Sequence, residues 1–153
     1  MASFGGHLAA YARTLLVFPS AEPELAIPLW EPLTRAPRER LARLGLGGGF
    51  VVVTAENPRG ELLSAAQNAS RAARLAQELA RRGCGWLPAD GCSPERRHRE
   101  RGVAVRVERE QGRELALRFE QLAFYRYDGE CFWLCGALCP DADLRLPLPA
   151  LPP

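Results

Sequence analysis

The sequence predicts a mixed α+β domain, an α/β arrangement with a central mixed sheet, packed helices and a C-terminal β-hairpin. Three segments carry that expectation. Residues 50–54, Phe-Val-Val-Val-Thr, are an unbroken apolar run of strand length, the pattern of a central strand covered on both faces. Ser64-x-x-Gln67 is a capping box at the head of a long amphipathic segment that Gly83 ends. Two apolar runs flank Asp128-Gly129, a dipeptide suited to a type I′ hairpin turn, whose central residues both need positive φ.

The remaining elements follow in chain order. Phe4, Leu8, Tyr11 and Leu15 recur at helical spacing and predict a first helix over residues 4–14. The apolar run 15–18, stopped by Pro19, predicts a strand. Residues 25–30 predict a second, which Pro28 limits to a sheet edge. Residues 38–44 predict a short helix with Leu41 and Leu44 inward, stopped by Gly45 and the run Gly47-Gly48-Gly49. That glycine run precedes a strand, whereas a dinucleotide-binding loop follows one and opens a helix, so its position speaks against phosphate binding. In the helix opened by Ser64, residues Ala65, Asn68, Ala72, Leu75, Ala76 and Leu79 share one side. Arg71, Arg74, Gln77, Glu78 and Arg81 take the other.

Residues 84–87 predict a short strand with Trp86 inside or lining a groove, and residues 88–99 a loop. Val103, Val105 and Val107 alternate with Arg106, the pattern of a half-buried strand. Leu115, Ala116 and Phe119 share the inner face of a helix over 111–121, and residues 122–127 and 130–138 form the hairpin. Residues 1–139 thus read as one domain. Residues 140–153 read as a Pro/Leu-rich tail able to dock through Leu144 and Leu146.

Composition narrows the function classes. The net charge of +2 gives little long-range attraction for nucleic acid or a membrane surface. Every basic residue is arginine, which removes Schiff-base lysines and the P-loop lysine. No apolar run is long enough to span a membrane, and the N-terminus lacks the basic and apolar regions of a signal peptide. The expectation is a cytoplasmic protein with reduced thiols. On one strand face Cys131 and Cys135 would stand about 13 Å apart, too far to share a metal. The five cysteines read as small buried or half-buried thiols, and neither a metal nor a cofactor is expected.

Candidate chemistry gathers at the exit of the 50–54 strand. Asn68 falls in the middle of an apolar helix face, where an amide needs a partner. Thr54, Glu56, Asn57 and Arg59 follow the strand, the end of an α/β sheet at which ligands tend to bind. Ser64 opens a helix whose N–H groups suit an anion. Glu100, Gln121 and Tyr125 complete a candidate wall. A purely structural role is equally concrete: Asn57-Pro58 can form the turn and Asn68 can hold the loop.

Several of these residues belong to a longer pattern. Thr54-Ala55-x-Asn57-Pro58 comes first, then Ser64 with Asn68 four residues on, then a helix ending in Gly83. Leu115-Ala116-x-x-Phe119-x-Gln121-x-Ala123, Asp128-Gly129 and Phe132-Trp133-Leu134 follow. In this order they resemble the DUF3293 family, small bacterial and phage-associated proteins, over residues 7–138. The resemblance implies a fold and supplies no reaction. The chain departs from the family pattern at Glu56, where an aromatic residue is usual, and at Glu120, where glycine is usual. It also departs over residues 98–102, where a Trp-x-Glu-x-Ser-like stretch is usual.

Three readings of function result. The first is a non-catalytic binding or interaction module with a polar pocket near residues 54–68, taking a small polar or phosphorylated ligand or a protein partner. The second is a metal-independent hydrolase or nuclease using Glu56 or Glu100. The third is a nucleic-acid binder through Arg96, Arg97, Arg99 and Arg101, which Glu95 and Glu100 interrupt and which the low net charge disfavours.

Overall fold

The computed structural model describes residues 5–139 and 143–149. Phe4 and residues 140–142 and 150–153, on which parts of the first-helix and tail expectations fall, lie outside the described residues. In chain order the elements are α1 (Leu8–Ala12), β1 (Leu15–Phe18), β2 (Leu25–Pro28), α2 (Arg35–Arg43) and β3 (Phe50–Thr54). A 3-10 turn (Pro58–Gly60) leads to α3 (Ala65–Arg81). Then come β4 (Trp86–Pro88), β5 (Asp90–Cys92), β6 (Arg99–Glu100), β7 (Gly102–Val105), α4 (Arg109–Arg118), β8 (Ala123–Tyr127), β9 (Phe132–Gly136) and β10 (Leu144–Arg145).

The mixed α+β class is as expected, but the strands form two sheets rather than one. The smaller has the order β2-β1-β5-β6 and the larger β10-β9-β8-β3-β7-β4. Among the described residues every ladder is antiparallel, including those of β3 with β7 and β8. A mixed sheet would need parallel crossovers. Here α3 instead delivers the chain to β4 at the far edge, and β7 runs back beside β3.

β3 shows why the layers stack as they do. Phe50 and Val52 point to a core that also holds Leu16, Phe18 and Ile27 of the small sheet. Val51 and Val53 point the other way, to Leu75 and Leu79 of α3 and Leu115 of α4. The molecule therefore has three layers, with the large sheet in the middle. A strand covered on both faces has no room for polar side chains, which is why its sequence is continuously apolar. Burying each such leucine contributes about 2 kcal/mol of transfer free energy.

Three local readings are corrected. Residues 88–99, expected as a loop, contribute β5 and β6 to the small sheet. Their partners lie far away in sequence, on β1, so nothing local announces them. Trp86 is 41% exposed on the outer strand β4, not inside. The Asp128-Gly129 hairpin has a four-residue connection between Tyr127 and Phe132, and of the two turn residues only Gly129 has positive φ. There the Asp128 carboxylate accepts the N–H of Glu130 (2.8 Å) and of Cys131 (2.9 Å), and Trp133 Nε1–H (2.8 Å). Burial works to raise the pKa of this carboxyl, but those three donors outweigh it and hold the group down to about 2. The side chain thus replaces the turn geometry that the dipeptide alone suggests. Pro28 does end an edge strand, as expected. The tail segment β10 pairs with β9, and Leu146 is buried.

The chain switches sheets twice, at Ala89 between β4 and β5 and at Arg101 between β6 and β7. The two corners face each other, and Ala89 N–H donates to Gly102 O at 3.0 Å. A Cβ on Gly102 would sit 2.6 Å from Ala89 O and 3.1 Å from Val53 O. Both obstacles are backbone atoms of paired strands and cannot move aside cheaply. Gly102→Ala is expected to lower unfolding stability by about 2 kcal/mol, read from denaturant midpoints.

Candidate functional site

The double corner positions the site. It brings β6 beside the exit of β3, where Thr54 pairs in register with Gly102. Thr54 Oγ1 donates to Arg101 O (2.7 Å) and accepts the N–H of Glu56 (3.1 Å), so the hydroxyl clips the corner to the strand exit. From there the chain enters a loop in left-handed conformation. Asn57 has φ 48° and Arg59 φ 56°, both uncommon for residues with a Cβ.

Asn68 holds that loop. Its Oδ1 accepts the Asn57 N–H (2.9 Å) and its Nδ2 donates to Asn57 Oδ1 (2.9 Å). Asn57 Oδ1 also accepts the Leu63 N–H (3.0 Å), and Asn57 Nδ2 donates to Glu100 Oε1 (2.7 Å). Both asparagines are buried. The amide that looked misplaced on an apolar helix face is therefore the first link of a relay from α3 to Glu100. His98 Nε2 lies 3.4 Å from the same Glu100 oxygen.

Glu100 opens into a cavity of about 520 Å³ between the two sheets. Of the residues singled out in the sequence, Thr54, Asn57, Glu100, Gln121 and Tyr125 line it. The other four have different places. Glu56 is buried and accepts from Arg101 Nε (2.9 Å). Arg59 lies with Glu120, its Nη1 2.6 Å from that carboxylate. Ser64 and Gln67 complete the capping box expected of them (3.1 and 3.0 Å), so the hydroxyl already serves the helix N-terminus. Asn68 stands behind Asn57 rather than on the cavity wall.

The arginines proposed for nucleic acid are mostly paired. Arg96 contacts Glu24 (2.8 Å), Arg99 contacts Asp90, and Arg101 contacts Glu56. Arg97 is exposed.

Sequence reasoning missed His7, Tyr11, Arg13, Thr14 and His98, which also line the cavity. His98 and Glu100 are two apart, the spacing that puts side chains on one face of a strand, and recognising β6 would have paired them. Tyr125 O–H is within 2.8 Å of Tyr11 O and 2.9 Å of Thr14 Oγ1, which ties α1 to the large sheet. Burial pushes the phenols of Tyr11 and Tyr125 above their ordinary range, so both keep their protons near neutrality. Gly60, at φ 77°, leaves space for the His7 ring, whose Cε1 would lie 2.7 Å from a Cβ there.

The comparisons with known proteins bear on this corner directly. Residues 53–124 match the model of a family described as protein of unknown function, DUF3293. This stretch of the chain is similar to the DUF3293 family. The DUF3293 match runs from the end of β3 into β8 and contains Asn57, Asn68, Glu100 and Gln121, while His7, Tyr11 and Tyr125 lie outside it. It agrees with the resemblance read from the sequence over a narrower span. No curated protein and no solved structure matches the chain.

One departure read in the sequence has a structural cost. Glu120, where the resemblance has glycine, sits at φ 58°. Its carbonyl accepts the Arg59 N–H at 2.8 Å, so the position cannot rotate away without freeing the 57–60 loop. Glu120→Gly is expected to raise stability by about 1 kcal/mol, because relief of the left-handed strain exceeds the loss of an exposed ion pair. Asn68→Ala leaves the buried Asn57 N–H without its acceptor and is expected to cost about 2 kcal/mol. Amide hydrogen exchange should report that loss as faster exchange at Asn57 and Leu63.

Proposed function

We propose that this protein is a small-molecule binding module, and that its ligand enters the cavity between the sheets and presents a hydrogen-bond donor or a cationic group to Glu100. The observation that carries the reading is the state of that carboxylate. Asn57 fixes it, and both of its contacts among the described residues, with Asn57 and His98, fall on Oε1. The remaining lone pairs are available to a ligand that replaces water, and a charge-assisted hydrogen bond there is stronger than a neutral one.

The cavity walls suit a mixed ligand. Leu16, Val52 and Ala123 supply apolar surface, and the protonated Tyr11 and Tyr125 stand among the polar lining groups. Such a mixture of apolar surface with few polar groups is usual for small-molecule sites. An anionic ligand at Ser64 and Arg59 has less support, since the first caps its helix and the second pairs with Glu120. Among the described residues no helix is long and apolar enough to cross a membrane.

A second reading, metal-independent hydrolysis or nuclease chemistry, has one observation in its favour. Glu100 stands beside His98 in the cavity, a carboxylate and an imidazole within reach of one bound molecule. Glu56, the other carboxylate considered, is tied to Arg101 and does not line the cavity.

The test is a thermal-shift screen of amines, amidines and nucleobases against the native protein and Glu100→Gln. Glutamine keeps an oxygen for Asn57, so the variant should melt like the native protein. It should lose roughly tenfold or more in affinity for compounds that stabilise the native chain. Equal shifts in both proteins would place the ligand elsewhere and end the Glu100 reading.

A further inference from the structure

A second concavity, of about 310 Å³, lies on the outer side of the helical layer. It is lined by Arg74, Gln77, Glu78 and Arg81 of α3 together with Arg118 and Phe119 at the end of α4. The spacing explains the grouping. Residues 74, 78 and 81 are four and three apart, so they rise along one helix face.

Glu78 is the organiser of this cluster. Its buried carboxylate accepts Arg81 Nη2 at 2.6 Å and Arg82 Nε at 2.8 Å, and Arg118 Nη2 lies at 3.5 Å. Hydrogen bonds from Arg81 and then Arg82 hold its pKa down to about 2, so it stays ionised across the neutral range. One carboxylate thus orients several guanidinium groups but neutralises only one charge. The lining keeps three arginines against that single acid.

Arg74 is the informative member. Its guanidinium carbon stands 5.9 Å from the centroid of the Phe119 ring, and among the described residues no carboxylate pairs with it. Arg81 and Arg118 sit in the last turns of α3 and α4, where positive charge complements the helix dipole. Arg74 lies well inside α3, so the dipole gives no reason for its charge. The arginines that looked available from sequence, Arg96, Arg99 and Arg101, are paired with acids. The three arginines around Glu78 leave uncompensated positive charge here as well.

We propose that this concavity is an oxyanion site for a phosphoryl group, held by Arg74, Arg81 and Arg118 with Glu78 as the positioning residue. The excess of two positive charges matches a dianion, and planar guanidinium forks match its tetrahedral oxygens. Inorganic phosphate and the phosphate of a small organic monoester share this chemistry. The site is separate from the Glu100 cavity, so either assignment can fail alone.

The experiment follows the arginine Nε–Hε NMR signals of the full-length protein as inorganic phosphate or phenyl phosphate is added. Chloride is used to match ionic strength throughout. The expected result is saturable movement of the Arg74, Arg81 and Arg118 signals with either probe. A tighter fit of phenyl phosphate would identify an organic monoester as the better ligand, and equal affinities would identify the phosphoryl group alone. Arg74→Gln, which breaks no ion pair, should weaken binding roughly tenfold. Arg118→Gln should do the same, while Glu100→Gln should leave it unchanged. Signals that do not move, that move equally in matched chloride, or that respond normally in Arg74→Gln would overturn the proposal.

Discussion

The paired amides of Asn57 and Asn68 are the constraint on which the candidate site depends. The 57–60 segment leaves β3 in a left-handed conformation that a residue with a Cβ does not hold unaided. The reciprocal hydrogen bonds from α3 supply what the local sequence lacks. Because the second amide group of Asn57 then faces Glu100, one buried pair sets both the loop path and the carboxylate orientation. Buried polar networks have this leverage because every unsatisfied member is costly in a medium of low dielectric constant.

Around that pair the architecture supplies rigidity. The large sheet is clamped between the small sheet and the helices, and β3 runs through its interior. The double sheet switch at Ala89 and Arg101 brings β6 close to β3 without requiring β6 to join the large sheet. Gly102 permits this approach by having no side chain. A carboxylate carried on a two-residue strand would otherwise be poorly held. Here it is fixed from the β3 side by Asn57 and from its own strand by pairing with β5.

The charges follow a related logic. Among the described residues the buried acids are each met by arginine: Glu56 by Arg101, Asp90 by Arg99, Glu78 by Arg81 and Arg82. A chain whose basic residues are all arginine can make such planar, multi-donor pairs repeatedly. The consequence is that sequence clusters of arginine are poor guides to surface potential. The 96–101 run loses most of its charge to acids distant in sequence or across the sheet, whereas Arg74, in an ordinary helix, keeps its own.

Local chemistry was decided by the sequence alone. The capping box at Ser64, the buried strand at 50–54, the edge position imposed by Pro28 and the anomaly of Asn68 each depend on residues within a few positions of one another. Tertiary structure decided the rest. The division into two sheets, the strand character of residues 90–92 and 99–100, and the meeting of His98 and Glu100 with His7 and Tyr11 all require partners far along the chain. Periodicity reports which face of an element is buried, but pairing is a property of two segments. The free energy that selects one antiparallel partner over another resides in packing that neither segment carries by itself.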